Sequence, residues 1–312
     1  GVPPLVGCLE NKATFECHPS VDQVFSYFAD YGKILHTKPQ TETVADKDMK
    51  RAFVRLASDS LGDNLAWLPQ VEEFRRVNQC DVDVHVAPHL RCLFNGTYPL
   101  LNFVSEVPHE TRGISIGCHT PKDITRPVIQ IATDTLGLPY EEIRPKITLP
   151  PNLKNNFDKK YVCIATQSTA QCKYWNNPSG WKQTVDYLKV LGYEVVCIDR
   201  DACFGVKDQW NHTPDNAIRK NDFKENNDPE IPLTDRINDL YFCDFFIGLG
   251  SGLSWLAWAL EKPVVLISGF SPPSAEFYTP YRVINQNVCN SCWGDPDHPF
   301  DKGDWMWCPR HK

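Results

Sequence analysis

At 312 residues the chain is long enough for two ordinary domains, and 42% hydrophobic with 23% charged residues is the balance of a soluble globular protein. A net charge of −7 argues against nucleic acid as the main partner, because binding a phosphate backbone needs a basic surface. No run reaches the roughly 18–20 uncharged apolar residues that span a bilayer. No basic-plus-apolar leader is present either, though the chain opens on Gly1 rather than methionine, as it would if an earlier piece had been removed.

Residues 1–50 are weakly patterned, with one helix expected around Val21 to Tyr31. From there the periodicity sharpens. Ala52 to Leu56 reads as a strand, Ser60 to Asn64 as a turn, Leu65 to Val77 as a helix and Asp81 to Val86 as a second strand. That order is a βαβ unit backed by a parallel sheet. Ile114 to Cys118 and Pro127 to Leu136 continue it as strand and helix. Leu149-Pro150-Pro151-Asn152 and the polar run to Lys160 break the pattern, so the domain boundary is placed at 150. A second series then runs strand 161–165, helix 180–191, strand 193–199, helix 233–240, strand 245–248, helix 252–260 and strand 264–267. This is the signature of a doubly wound α/β domain. The Asn/Asp/Lys-rich stretch from Asp215 to Pro229 reads as a solvated loop.

Four clusters have residues suited to chemistry. Gly62-Asp63 follows the first clear strand, where open α/β sheets bind ligands; Asp63 is there either a cleft carboxylate or a helix cap. Thr166-Gln167-Ser168 and Lys173 follow the strand at 161–165, and hydroxyls, an amide and a cation suit a diphosphate as well as they suit an ordinary polar loop. Gly248 to Trp255 places Ser251-Gly252-Leu253-Ser254 between a strand and a helix, where glycines let the backbone approach phosphate and the helix N-terminus supplies free N–H donors. It is neither a Walker loop nor a GxGxxG.

Among thirteen cysteines, Cys163, Cys197 and Cys243 lie in or beside apolar runs as small hydrophobes. Cys289 and Cys292 form a CxxC knuckle, with Cys308 near the chain end. Three thiolates suit zinc or iron, the alternative being three unligated thiols, and His298 or His311 is a candidate fourth ligand. An odd, scattered cysteine set favours a reducing compartment.

Taken as strings, Tyr161 to Thr169, Lys173 to Asn177, Cys197 to Asp201, Phe246 to Gly248, Ser251 to Trp258, Ser268 to Phe270, Glu276 to Pro280 and Trp307 to Lys312 resemble the bacterial autotransporter heptosyltransferases. The likeness covers essentially residues 161–312, and thins before residue 150 to Leu61-Gly62-Asp63 and Trp67. It implies a GT-B glycosyltransferase: two Rossmann-like domains facing a cleft, 1–150 on the acceptor side and 151–312 binding the nucleotide-sugar. It also implies a cytoplasmic enzyme, related to the lipopolysaccharide heptosyltransferases, that moves heptose from ADP-heptose onto serine hydroxyls of a protein acceptor and assembles as a homo-oligomer. By the same resemblance Asp63 matches an essential acidic residue and Lys173 an essential lysine. Cys289, Cys292 and Cys308 match three of four iron ligands in a finger spanning 289–312. The fourth would fall just past Lys312, so the chain is expected to stop short of it.

On this reading the diphosphate rests on Lys173 and the Ser251-Gly252 turn, with Gly62, Thr166, Gln167, Ser168, Leu253 and Ser254 lining the donor site and Asp199 contacting the nucleoside. Asp63 takes the acceptor's proton, Lys173 stabilises the departing ADP, and no catalytic divalent metal is expected. A transferase using UDP- or GDP-sugar on a glycan, and a nucleotide-binding assembly protein without turnover, are the alternatives.

Overall fold

The computed structural model describes residues 50–312 apart from 95, 107–112, 119–124, 169, 207–208, 221–232, 296, 299–307 and 309–312. The helix expected around Val21 to Tyr31 lies outside the described residues.

The architecture is α/β, built on two parallel sheets. In the first, β1 (Arg51–Leu56), β2 (Asp81–His85), β3 (Leu101–Phe103) and β4 (Ile114–Ile116) run in the order β3-β2-β1-β4. Val54, Leu56, Val82, Val84 and Ile116 are fully buried or nearly so, and they share one core with helices α1 (Leu61–Asn78) and α2 (Val128–Leu136). Burying one apolar face against helices is what drives such a sheet to form. Trp67 ties the two helices together, its indole N–H donating to the Val128 carbonyl at 2.8 Å.

Helix α1 starts four residues earlier than periodicity predicts. Ser60, in extended conformation, is its N-cap, so Gly62 and Asp63 occupy the first helical turn and not a preceding loop. The buried Asn64 amide locks this start by donating to the carbonyls of Ser58 and Ser60, both at 2.8 Å. Glycine and a polar pair look like a turn by propensity, and this side-chain bonding overrides it.

From Gly137 to Lys160 no helix or strand forms. This segment packs along the second half of the chain: Glu142 accepts the Tyr278 amide at 2.8 Å, and the Arg144 guanidinium stands 5.2 Å from the centre of the Trp258 ring.

The second sheet is wholly parallel, ordered β12-β11-β10-β5-β6-β9. Its strands are β5 (Tyr161–Ala165), β6 (Glu194–Cys197), β9 (Ile218–Arg219), β10 (Phe246–Leu249), β11 (Val264–Ser268) and β12 (Arg282–Ile284). Every residue of central strands β5 and β10 is buried, as expected for strands covered on both faces. Helices α3 (Gly180–Val190), α4 (Leu233–Phe242) and α5 (Gly252–Ala259) follow β5, β9 and β10. A two-stranded antiparallel ribbon, β7 (Cys203–Val206) and β8 (Gln209–His212), rises after β6. The stretch from Asp215, expected as a solvated loop, instead contributes edge strand β9; both its residues are exposed, so no apolar pattern announces it.

The two halves meet where α1 crosses α5. A methyl on Gly252 would lie 2.8 Å from Cβ of Leu61, and one on Gly62 would lie 3.0 Å from the Trp255 ring. Two helix first turns therefore touch, and each needs a glycine. Because a Cβ cannot rotate away, Gly252→Ala should cost about 1–3 kcal/mol as an overpacked contact, and Gly62→Ala less. Urea unfolding of both variants against the parent checks this; a neutral Gly252→Ala would show that the contact is loose.

Candidate active site

Three loops at the carboxyl ends of the second sheet's strands converge. The first follows β5. Thr166 and Ser168 are buried there, and Thr166 donates its backbone N–H (2.8 Å) and its hydroxyl (2.7 Å) to Oδ2 of Asp199, while Gln167 donates its N–H to Oδ1 at 3.2 Å. Asp199 is 1% exposed. Its carbonyl is held in turn by Arg236 at 2.9 Å. The structure thus places this carboxylate where it supports the backbone of the loop. Burial pushes the Asp199 carboxyl above its usual range, opposed by the Thr166 and Gln167 bonds that favour its charged form.

Lys173 ends a short 3₁₀ turn in the same loop. Its Nζ donates to the Gly250 carbonyl at 3.0 Å and stands 5.3 Å from the centre of the Trp293 ring. Among the described residues no carboxylate pairs with it, so its charge remains available to an anion.

The second loop is the glycine turn after β10. Ser251, extended, caps α5 without a side-chain cap bond, and its buried hydroxyl oxygen has no hydrogen-bond partner among the described residues. A buried hydroxyl without a partner costs free energy unless a ligand supplies one. Beside it lie the free N–H groups and positive dipole end of α5, the arrangement that receives phosphate. Leu253 is partly buried against the core, and Ser254 is fully buried, its hydroxyl donating to the Leu249 carbonyl. Ser254 thus braces the turn from behind.

The third loop follows β11. Glu276 is buried here, its Oε2 accepting from Arg282 at 3.0 Å, and it lines a small open cleft with Lys173, Gly250, Ser268 and Phe270. The cysteine segment lies against this loop: the Ser291 amide donates to Gly269 at 2.7 Å and the Trp293 amide to Phe270 at 2.9 Å. Trp293 is the site neighbour that sequence reasoning misses, while Glu276 opens a motif of the resemblance but is given no role by it. The only signal for Trp293 is its place one residue after the CxxC.

Across from these loops, the first turn of α1 presents Asp63. Its Oδ2 accepts the Ser58 hydroxyl at 2.6 Å, and the Ser58 oxygen accepts the Ser60 amide at 3.1 Å. The carboxylate is thereby oriented at the positive end of an 18-residue helix, which favours its charge. The contact of Gly62 with Gly252 and Trp255 brings this end of α1 to the N-terminus of α5.

Cys289 is exposed, and Cys292 and Cys308 are partly buried. The thiol donor set suits iron or zinc, but among the described residues no group of three His, Cys, Asp or Glu side chains is gathered as a metal site. His298 bonds Asp295 at 3.1 Å, while His311 lies outside the described residues. No described helix is long and apolar enough to cross a membrane.

The model of glycosyltransferase family 9 (heptosyltransferase) matches residues 124–301. The chain is 41% identical over 288 residues to the autotransporter heptosyltransferase Aah of Escherichia coli, covering 88% of this chain and 71% of Aah. It superposes on the structure of TibC, a dodecameric iron-containing heptosyltransferase in complex with ADP-D-beta-D-heptose, with a TM-score of 0.76 at 38% identity, over 87% of this chain and 72% of that one. The inactive autotransporter heptosyltransferase BimC of Burkholderia thailandensis is 32% identical over 85% of this chain and 64% of its own length.

The buried Asp199 strut is open to test. Asp199→Asn removes the charge that accepts two backbone amides and a hydroxyl, so we expect a loss of about 1–3 kcal/mol in chemical denaturation. An unchanged midpoint would mean that the loop keeps its shape without the strut.

Proposed function

The chain belongs to glycosyltransferase family 9, the heptosyltransferases, and we propose that it moves heptose from ADP-heptose onto serine hydroxyls of a protein acceptor. One observation carries this reading: the Gly62–Gly252 contact sets the Asp63 end of one helix against the Lys173 and Ser251 loops. A base on one side and anion binders on the other are what displacement of a diphosphate requires. The similarity to TibC, whose structure holds ADP-D-beta-D-heptose, supports the choice of donor.

In this mechanism the diphosphate lies on the Lys173 ammonium, the Ser251 hydroxyl and the amides opening α5. The serine oxygen attacks the anomeric carbon, its proton passes to Asp63, and the bond from that carbon to the diphosphate oxygen breaks. ADP leaves with its added negative charge stabilised by Lys173 and the helix end, so no divalent ion is needed for that step. Ser58 holds the carboxylate by donating to one of its oxygens. Gly62, Thr166, Gln167, Ser168 and Leu253 shape the walls of the site. Residues 1–150 serve as the acceptor side and 151–312 as the donor side.

A structural ion, iron by similarity to TibC, would be held by Cys289, Cys292 and Cys308. The homo-oligomer and the cytoplasmic setting belong to the same reading. A second reading, nucleotide binding without turnover, draws on the inactive relative BimC.

Asp63→Asn and Lys173→Ala separate these readings. The amide keeps the shape of the carboxylate but takes no proton, so turnover should fall by about 10²–10⁴ with ADP affinity intact. Lys173→Ala should weaken ADP binding by roughly 10- to 150-fold, the cost of a lost charge-assisted contact. Transfer from ADP-heptose is followed by mass spectrometry of the acceptor and affinity by calorimetry. Wild-type protein that binds ADP yet transfers nothing would support the binder. For the metal, elemental analysis of wild type and Cys292→Ser should show a bound ion lost in the variant; equally metal-free proteins would remove the finger from the proposal.

A further inference from the structure

Glu276 falls within a motif, Glu276 to Pro280, to which the catalytic reading assigns no part. Its side chain is 6% exposed, and Oε2 is fixed by Arg282, whose guanidinium also donates to the Ser268 hydroxyl at 2.7 Å and the Phe277 carbonyl at 3.0 Å. The other oxygen, Oε1, forms no hydrogen bond within the described residues. It lies where a side chain at position 250 would be: a methyl on Gly250 would come 1.7 Å from it. Gly250 is thus a glycine because the Glu276 carboxylate occupies the place, and that carboxylate shares a pocket with Lys173.

We propose that Glu276 recognises the transferred sugar, its Oε1 accepting hydrogen bonds from ring hydroxyls of the donor. The inference rests on the donor reading above and adds the sugar subsite to it. A rigidly held carboxylate oxygen with spare acceptor capacity suits a neighbouring pair of hydroxyls, which are donors; beside a diphosphate alone it would only repel. Position selects the sugar over the ribose. Gly250 immediately precedes the Ser251-Gly252 turn, and Gly252 touches Leu61 in the helix that carries Asp63. The sugar has to lie between the leaving diphosphate and the base, which is the side of the turn that meets α1. Arg282 acts through Glu276 as a positioning residue.

The test is calorimetry of full-length wild type, Glu276→Gln and Gly250→Ala with two probes, ADP and ADP-heptose, with melting curves to show that each variant is folded. Glu276→Gln should raise the Kd for ADP-heptose roughly 10- to 100-fold while leaving that for ADP within about twofold. Gly250→Ala, which keeps the charge but displaces the carboxylate, should show the same selective loss. An equal fall for both probes would mean that Glu276 only braces the loop or meets the ribose, and unchanged affinity for both would mean that it meets nothing; either overturns the inference. Wild-type protein that takes up neither probe would overturn the donor reading itself.

Discussion

The contact between the first turns of α1 and α5 is the constraint from which the site follows. Helix N-termini are electropositive and carry unsatisfied amide donors, so bringing two of them together is unfavourable until something negative sits between or beside them. Here Asp63 supplies part of that charge from one helix. The remaining donors, on α5, face the side of Lys173 and the buried Ser251 hydroxyl. The glycines at 62 and 252 permit the approach, and the aromatic group behind it (Trp255, Trp258 and Phe277, with Trp258 and Phe277 stacked at 4.9 Å) makes it rigid.

Around that contact the loops after β5, β10 and β11 are held by buried polar groups. Asp199 braces the β5 loop, Arg236 braces Asp199, Ser254 ties the glycine turn to β10, and Arg282 fixes Glu276. Each of these supports bonds to backbone or to an opposite charge, which offsets the cost of desolvating it. The surface left for a ligand in the proposed site is correspondingly simple: a lysine, a hydroxyl, amides and one carboxylate oxygen.

Much of this was legible in the sequence, and the failures have physical causes. Strands β1, β5, β6, β10 and β11 show as apolar runs and β2 by its alternation of apolar and polar residues, and α2 through α5 show by helical spacing. Strands β3, β9 and β12 have two or three residues, too short for any period to register. The start of α1 was hidden by a glycine and polar residues whose helical state depends on Asn64. At the candidate site, Asp63, Lys173, Ser251 and Asp199 all stood out because each follows a strand, and of these Asp199 is the one whose carboxylate bonds the backbone of the neighbouring loop. Position at a strand end tells which residues are near a cleft, and it does not tell which way a side chain turns. Trp293, and the role of Glu276 within its motif, were out of reach for a different reason: Lys173 and Gly250 lie far from them in sequence, and only the packed loops bring them together.

The separation of Gly62 from Gly252 has a consequence for biosynthesis. The first sheet and its two helices are complete by residue 136, but the partner of the α1 end lies 190 positions after Gly62. At about 5–20 residues per second on the ribosome, the Leu61 and Gly62 end of α1 waits roughly 10–40 s for α5 to be made. For the part of that interval after residue 136, roughly 6–23 s, a completed first sheet carries an uncovered helix end, so the nascent chain is most open to wrong contacts between the birth of its first half and the arrival of the glycine turn.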